Sequence, residues 1–453
     1  MFDYVASIES GARMAAQGEG RRLAGIAELV RQRCGDDERA WWACDEWDAA
    51  AAEVSAILGV THGRASAQMH LALSLRDRLP QVNALLMAGT LSYRVCEAIA
   101  NRTDLIQDSA TLALVDAELA GHAESWGPLS DLKLQRAIDA WVDRYDPGAL
   151  RRSRTRMRDR DIVVDLRHSR DGMVEIHGEL SVVDGAAIDR RLAAMAHGVC
   201  EDDPRTVGQR RSDALGAINA GSDHLACLCG NPDCPAAVPD GRAANVVVHI
   251  LAESERPTAS GILSGNRGIV PAPLLAELVK AGAKVRELRR PSDDPEPGYR
   301  PSTALDEWVR MRDTTCRFPN CDVPAEYCDV DHTIAWPFGP THASNLRCLC
   351  RKHHLLKTFW TDWSDRQHPD GTITWTSPAG RTYVTQPGSR LLLPQWSTTT
   401  ATLPAPVGKP PPTIGIMMPT RRKTRAAQRA YRIAAERKLN DAHVAERNKP
   451  PPF

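Results

Sequence analysis

Through the first third of the chain, apolar residues recur at helical spacing. Leu71, Leu75 and Leu79 form one stripe that stops at Pro80, and Leu85, Leu86, Val95 and Ile99 follow on either side of Gly89. The stretch is rich in Ala, Leu, Glu and Arg, which favour helix. Residues 1–155 are therefore expected to form a helical domain. Within it, Glu53–Ala65 reads as a helix, a Gly59 turn, and a second helix capped by Thr61. Such a pair is either two packed helices of an all-α domain or a helix-turn-helix that contacts DNA.

From Asp161 the pattern changes. Ile162–Leu166 and Val174–Leu180 read as strands joined by a turn at Ser169–Gly172. A helix is expected around Asp184–His197 and an apolar strand at Val246–Leu251. Residues 156–285 thus form a mixed strand and helix part. Residues 286–302, with Pro291, Pro295, Pro297 and Gly298, read as a Pro-rich linker. Residues 387–419 read as a flexible or extended Pro/Thr-rich linker. Residues 420–449 read as a basic helical tail carrying Arg421, Arg422, Lys423, Arg425, Arg429, Arg432, Arg437 and Lys438. That tail either contacts phosphates by charge or is simply solvated. The expected fold class is α+β and multidomain: a mainly α-helical N-terminal domain, a mixed α/β middle part, and a small C-terminal domain at 303–386.

Composition narrows the classes. The 453 residues are 42% apolar and 25% charged, with a formal net charge of +0, as in an ordinary soluble globular protein. Only local charge can therefore argue for a nucleic-acid partner. No apolar run reaches the roughly 18 residues that a membrane helix needs, and the first residues lack the basic and apolar regions of a signal peptide. The expected location is the cytoplasm, with no membrane partner. Of the 12 cysteines, Cys316, Cys321, Cys328, Cys348 and Cys350 crowd one stretch with His332, His342, His353 and His354. In a reducing compartment such clusters read as metal ligands. Cys227, Cys229 and Cys234 are candidates for a second metal site, with His249 able to complete four ligands. Their spacing fits no defensible zinc pattern, so a turn with free thiols is the plainer expectation.

Cys316 and Cys321 have four residues between them, as in a zinc-knuckle turn, and Cys350 and His353 stand three apart at a helix start. Two such pairs about 30 residues apart make a closed Cys₃His set, which points to structural Zn²⁺. Between the pairs lies Asp331-His332 at the end of an expected strand. There Asp331 can bind a cation while His332 faces a substrate. His354 follows His353, turned towards Asp331, so that Asp331 and His354 can share a divalent ion. Cys350 and His354 also share a helix face, so spacing alone leaves open which histidine joins the zinc. Cys328 and Cys348 are expected to be packed thiols, and His342 a solvated loop residue.

This order of a Cys pair, Asp-His, Asn345 and Cys350-Arg351-Lys352-His353-His354 resembles the HNH endonucleases, also called ββα-metal nucleases. Arg310–Pro319, Gly339-Pro340-Thr341 and Leu349–His354 resemble the mycobacterial 13E12 repeat family, whose members join an N-terminal helical domain of unknown function to a C-terminal HNH domain. Asp331 stands where many relatives have His, and Gly339-Pro340 where many have two glycines. The resemblance implies a phosphodiester hydrolase acting on DNA. His332 would be the general base, and Asn345 would brace the loop and orient His332. Asp331 and His354 would bind a catalytic Mg²⁺, Mn²⁺ or Zn²⁺. Arg312, Arg317, Arg347, Arg351 and Lys357 would contact DNA phosphates. The alternatives are a catalytically silent, zinc-containing DNA-binding module, or a helix-turn-helix regulator acting through the first domain.

Overall fold

In the computed structural model, the helical spacing of the first third becomes α1 (Tyr4–Arg33), α2 (Glu46–Leu58), α3 (His62–Leu73), α4 (Pro80–Ala88), α5 (Tyr93–Thr103), α6 (Ser109–Ala123) and α7 (Asp131–Tyr145). The middle of the chain forms β1 (Ile162–Arg170), β2 (Met173–Gly178), α8 (Val182–His197), α9 (Val207–Asn219), β3 (Val247–Leu251), β4 (Gly261–Ile262), β5 (Ile269–Val270), α10 (Ala272–Lys280) and β6 (Lys284–Leu288). Then follow α11 (Thr303–Asp313), β7 (Cys328–His332), β8 (Leu346–Cys350), α12 (Arg351–Phe359), β9 (Ser364–Gln367), β10 (Ile373–Thr376), β11 (Thr382–Thr385), α13 (Gly388–Leu392) and α14 (Arg425–Arg447). The structure describes residues 4–35, 37–150, 161–170, 173–245, 247–251, 261–262, 269–270, 272–280, 282–360, 362–394, 396–404 and 417–449. Two compact units result: Met1–Thr155 with Leu355–Asp362 and Ile414–Phe453, and Arg156–His354 with Trp363–Thr413. Among the described residues, no helix is long and apolar enough to cross a membrane.

The first unit is helical around one apolar core. Leu71, Leu75 and Leu79 are all buried in it beside Leu23, Met69, Leu86, Ile99 and Ile138. Each such side chain contributes roughly 1.5–3 kcal/mol by leaving water. The stripe ends just before Pro80, as expected, at Leu79. The chain makes a wide turn at Ser74–Arg78, and Pro80 then opens α4, where its missing N–H has no helical partner to lose. Gly59 takes φ 66° at the end of α2, and Thr61 accepts a hydrogen bond from the Arg64 N–H at 3.4 Å. The expected helix-turn-helix joint therefore forms, with most of α2 buried in the bundle.

Residues 420–449 are a member of this bundle, which corrects the expectation of a tail that is simply solvated. The cause is a set of carboxylates on the helical bundle that need cations. Arg421 reaches Asp45 at 3.1 Å and Asp48 at 3.2 Å, and Arg425 reaches both at 3.0 Å. Arg429 pairs with Asp104, Arg437 with Asp146 at 2.7 Å, and Arg447 with Asp143 at 3.0 Å. Asn440, buried on α14, donates to the carbonyls of Gly148 at 2.9 Å and Leu150 at 2.6 Å.

The second unit is built from small sheets and helices. β1 and β2 form an antiparallel hairpin, as the sequence pattern predicts, although residues 171 and 172 of the expected turn lie outside the described residues. β3 pairs with β6 in parallel, so residues 286–288 of the expected linker are strand. The rest of that segment is also tied down. Glu296 N–H donates to Thr341 O at 2.9 Å, the Thr341 hydroxyl donates to Gly298 O at 2.5 Å, and His342 Nε2 lies 3.2 Å from Ser292 O. Residues 286–302 are thus a hydrogen-bonded strap with most of its residues exposed, and His342 is buried rather than solvated. β7 and β8 pair antiparallel with Asp331 opposite Arg347, and β9, β10 and β11 form an antiparallel sheet centred on β10. The start of the expected 387–419 linker is packed as well: Thr398 and Thr400 are buried, and Thr398 donates to Asp370 O at 2.9 Å. Residues 405–416 lie outside the described residues.

Asn440→Ala is expected to destabilise the helical unit by about 1–3 kcal/mol, because two carbonyls lose their buried donor. The exposed Lys438→Ala control should leave the urea midpoint unchanged. Equal midpoints for the two variants would show that α14 does not belong to the folded bundle.

Candidate active site

The site is assembled on β7, the loop after it, β8 and the start of α12. Asn320 takes a left-handed φ of 57°, and Cys321 N–H donates to Phe318 O at 3.2 Å, so Cys316 and Cys321 close a tight turn. Cys350 ends β8, and His353 lies in the first turn of α12. Ligand atoms of Cys316, Cys321, Cys350 and His353 all lie within 4.8 Å of one another. His353 Nδ1 is 3.5 Å from Cys316 Sγ and 3.3 Å from Cys350 Sγ, and the Cys321 and Cys350 sulfurs are 3.9 Å apart. A tetrahedral zinc–thiolate site, with Zn–S of about 2.3 Å, has S···S edges of about 3.8 Å. The group can therefore hold a metal ion such as zinc. Hydrogen bonds from Cys316 and Cys321 hold the Cys350 thiol far below its ordinary range, whereas burial drives Cys316 up and the neighbouring sulfurs Cys316 and Cys350 drive Cys321 up. Phe318 stacks on His353 at 4.0 Å, and Trp363 and Trp375 meet Phe318 edge-on.

Asp331 and His354 come together beside this group, with His354 Nε2 3.3 Å from Asp331 Oδ1. The other ring nitrogen, Nδ1, is 2.8 Å from Asp329 Oδ2. Asp329 stands two residues before Asp331 on β7, hence on the same face of the strand. A carboxylate on the far nitrogen of a ligating histidine fixes its tautomer and raises its basicity. Burial alone would lower the His354 pKa, but Asp331 and Asp329 outweigh it and raise it. An oxygen and a nitrogen donor side by side, one of them a carboxylate, suit a divalent cation.

His332 occupies the other face of β7 and is buried. Its Nε2 is 2.9 Å from Thr341 Oγ1, whose own proton goes to Gly298 O. Thr341 must then accept from His332 Nε2–H, which puts the imidazole lone pair on Nδ1. The Tyr299 ring stacks on His332 at 5.4 Å. Asn345 closes the loop between the strands. Its Oδ1 accepts from Ile334 N–H at 2.8 Å, and its Nδ2 donates to Ile334 O at 3.0 Å and Pro340 O at 2.9 Å. Gly339 is required here, since a Cβ would overlap Ile334 and come within 2.7 Å of Asn345 Nδ2. Asp329, Thr341 and Tyr299 were not predicted from sequence. Strand alternation was a usable signal for Asp329; nothing local marked the other two.

The family model described as "Domain of unknown function (DUF222)" matches residues 10–313, well over half of the chain. The chain belongs to the DUF222 family. Two uncharacterized proteins of Mycobacterium tuberculosis strain H37Rv are 54% and 53% identical to it, each over 99% of this chain and over 90% and 91% of their own lengths. A third from the same strain, also uncharacterized, is 25% identical over 71% of this chain and 76% of its own length. No solved structure matches. The DUF222 match ends at Asp313, so the Cys₃His group and its neighbours lie just beyond it.

At that boundary the structure corrects three expected DNA contacts. Arg312, Arg317 and Arg347 are buried. Arg312 donates to Asp313 at 2.8 Å, Ala343 O at 2.8 Å and Leu346 O at 2.7 Å. Arg317 donates to Asp313 at 2.8 Å and to Gly371 O and Thr385 O, each at 2.9 Å. Arg347 lies between Asp331 and Asp365 and under the Trp375 ring. Each is committed to internal carboxylates and carbonyls and cannot reach a phosphate. Arg351, 62% exposed beside Asp329, remains available, and Lys357 is half-buried further along α12. Cys328 and Cys348 lie outside the Cys₃His group; Cys328 Sγ points to Pro324 O at 3.3 Å. Inside the DUF222 region, Cys227, Cys229 and Cys234 are joined by Cys200, not by His249, which is placed on β3 opposite Arg286. The turn expected there thus brings four free cysteines together in a group that could hold a metal ion. Its fourth member escaped notice because it stands 27 residues upstream of Cys227.

Asp313 is fully buried, and although burial favours its neutral form, Arg312 and Arg317 hold its pKa below the ordinary range. Its stabilisation is thus present above the unfolded carboxylate's titration, near pH of about 3.9, and lost as pH falls through the lower folded value. Asp313→Asn should cost about 3 kcal/mol or more, since it leaves buried guanidinium charge uncompensated. Arg351→Ala should leave stability unchanged. Denaturant unfolding of both variants at neutral pH checks this, and a neutral result for Asp313→Asn would contradict the network.

Proposed function

We propose that the 303–386 region is an HNH-type, metal-dependent endonuclease that hydrolyses phosphodiester bonds of DNA. The observation that carries this reading is the meeting of Asp331 with His354 on one β-loop-β-helix element, with His332 next to Asp331 at the end of β7 and Asn345 closing the loop, beside a closed Cys₃His group suited to structural Zn²⁺. His332 takes a proton from the attacking water at Nδ1, while Thr341 holds its Nε2–H. Asn345 keeps the loop closed, so the His332 ring stays in place. Asp331 and His354 would hold Mg²⁺, Mn²⁺ or Zn²⁺, and Asp329 orients His354. A divalent cation, when bound, supplies charge stabilisation at the phosphate and the leaving oxygen. Arg351 offers a phosphate contact without reading sequence.

One observation favours a second reading, a DNA-binding module that does not cut. The Tyr299 ring lies over His332 and restricts approach to it.

Purified protein is expected to nick supercoiled plasmid in Mg²⁺ or Mn²⁺. His332→Ala should lose about 100-fold or more in rate while keeping its zinc. Equal cutting by both would remove His332 from the mechanism. DNA binding without cutting, in either metal, would favour the silent module.

The raised His354 pKa adds a pH dependence. Below that pKa the ring is protonated and cannot ligate, so metal binding must displace a proton. The Mn²⁺ concentration for half-maximal nicking should therefore rise as pH is lowered through the His354 titration. Asp329→Asn should move that rise to lower pH. A pH-independent Mn²⁺ requirement would exclude His354 as a ligand.

A further inference from the structure

The four sulfurs within the DUF222 region have no part in the proposed chemistry. Cys200 follows the end of α8, and Cys227, Cys229 and Cys234 lie on the irregular segment after α9. Their sulfurs all lie within 4.8 Å of one another, with Cys200 and Cys227 at 3.3 Å. We propose that Cys200, Cys227, Cys229 and Cys234 form a structural zinc site that cross-links the α8–α9 hairpin to the segment after it.

Several independent features support a metal rather than free thiols. The sulfurs are mutually close, as around one tetrahedral ion with edges of about 3.8 Å. A disulfide would instead bring two sulfurs to about 2.05 Å and leave the other pair apart. Gly230 takes φ 79° and lets the chain turn back between Cys229 and Cys234.

The surroundings hold the ligands in place before any ion binds. Asp203, fully buried, accepts from Leu228 N–H at 2.9 Å and from Arg205, which in turn donates to Ala226 O at 2.7 Å. Asp240 accepts from Ala226 N–H at 3.1 Å. The residues on either side of Cys227 are thus pinned, and the Cys227 N–H donates to Ala236 O at 2.7 Å. The local apolar core is small: Met195, Ala214, Ala217 and Leu225, with Leu192, Val199 and Ile218 partly buried against it. Those few side chains bury little area for a segment without regular structure, and a metal cross-link supplies what burial does not. On binding, the thiol protons pass to solvent, and no electrons are exchanged.

The test is a zinc count on the full chain purified without chelator, by elemental analysis against protein concentration. Two zinc ions per chain are expected. Cys227→Ser/Cys229→Ser should hold one, and Cys316→Ser/Cys321→Ser should also hold one. Zinc in wild type that vanishes completely in Cys316→Ser/Cys321→Ser would overturn the proposal and leave the Cys₃His site intact. Zinc retained there but lost in Cys227→Ser/Cys229→Ser would support it even if the Cys₃His site holds none. Because the serine variant can fail to fold, Cys234→His, which keeps a ligand, is made beside it and should retain both ions. Denatured, unreduced wild type is also alkylated and mapped. Resistance of Cys200, Cys227, Cys229 or Cys234 to labelling would reveal a disulfide, and iron in place of zinc would reveal a different site; either overturns the assignment.

Discussion

The region around the candidate site depends on one buried carboxylate. Asp313 ends α11 with no solvent around it, and three donors meet it: Arg312, Arg317 and the Cys348 N–H, each at 2.8 Å. A buried carboxylate is costly unless fully paired, so these donors are obligatory. Arg312 extends the network to the chain entering β8. Arg317 extends it to the turn before β10 and to β11, and its own carbonyl accepts from Trp375 Nε1 at 2.9 Å and from Thr385 at 3.1 Å. One charge thereby sets the positions of α11, β8 and the closing sheet. Cys316 lies three residues beyond Asp313, and Cys350 two residues beyond Cys348. The same network therefore brings the two ligand pairs together.

A second constraint governs the loop between β7 and β8. It leaves β7 at His332 and must return to β8 while holding His332 still. Asn345 closes it by three hydrogen bonds, and Gly339 permits the close approach. The strap 286–302 then reaches Thr341 and, through it, the Nε2 of His332. The tautomer of the proposed base is thus set by a carbonyl more than 30 residues away in sequence. His354 is held in a similar way, between two carboxylates of one strand face.

Part of the charge is used inside. With a net charge of +0, the chain has no general attraction for nucleic acid. Many of the arginines that suggest such attraction are spent on internal partners, in the α14 pairs and in the Asp313 and Asp331 networks. If the chain acts on DNA as proposed, long-range electrostatic capture would be weak and recognition would fall to local contacts around Arg351 and the loop.

By itself, the sequence determined the elements with strong period or spacing: the helical first third, the β1–β2 hairpin, and the Gly59 turn with its Thr61 cap. It also pointed to the three cysteines of the Cys₃His group and to Asp331 beside His354, because ligand spacing on a turn and on a helix is local geometry, whereas the choice of His353 over His354 for that group came from the structure. Tertiary structure alone decided what each charge does. Arg312, Arg317 and Arg347 have the same composition signal as phosphate-binding arginines, and only burial beside Asp313, Asp331 and Asp365 distinguishes them. The Pro-rich segment at 286–302 reads as a linker because its hydrogen bonds go to partners distant in sequence. The basic tail reads as solvated because its aspartate partners lie some 300 residues upstream. Cys200 is separated from its cluster by α9, so no local spacing reveals it. Periodicity and ligand spacing are properties of neighbouring residues and are written along the chain. Burial, charge pairing and long-range ligation are settled only when distant segments meet.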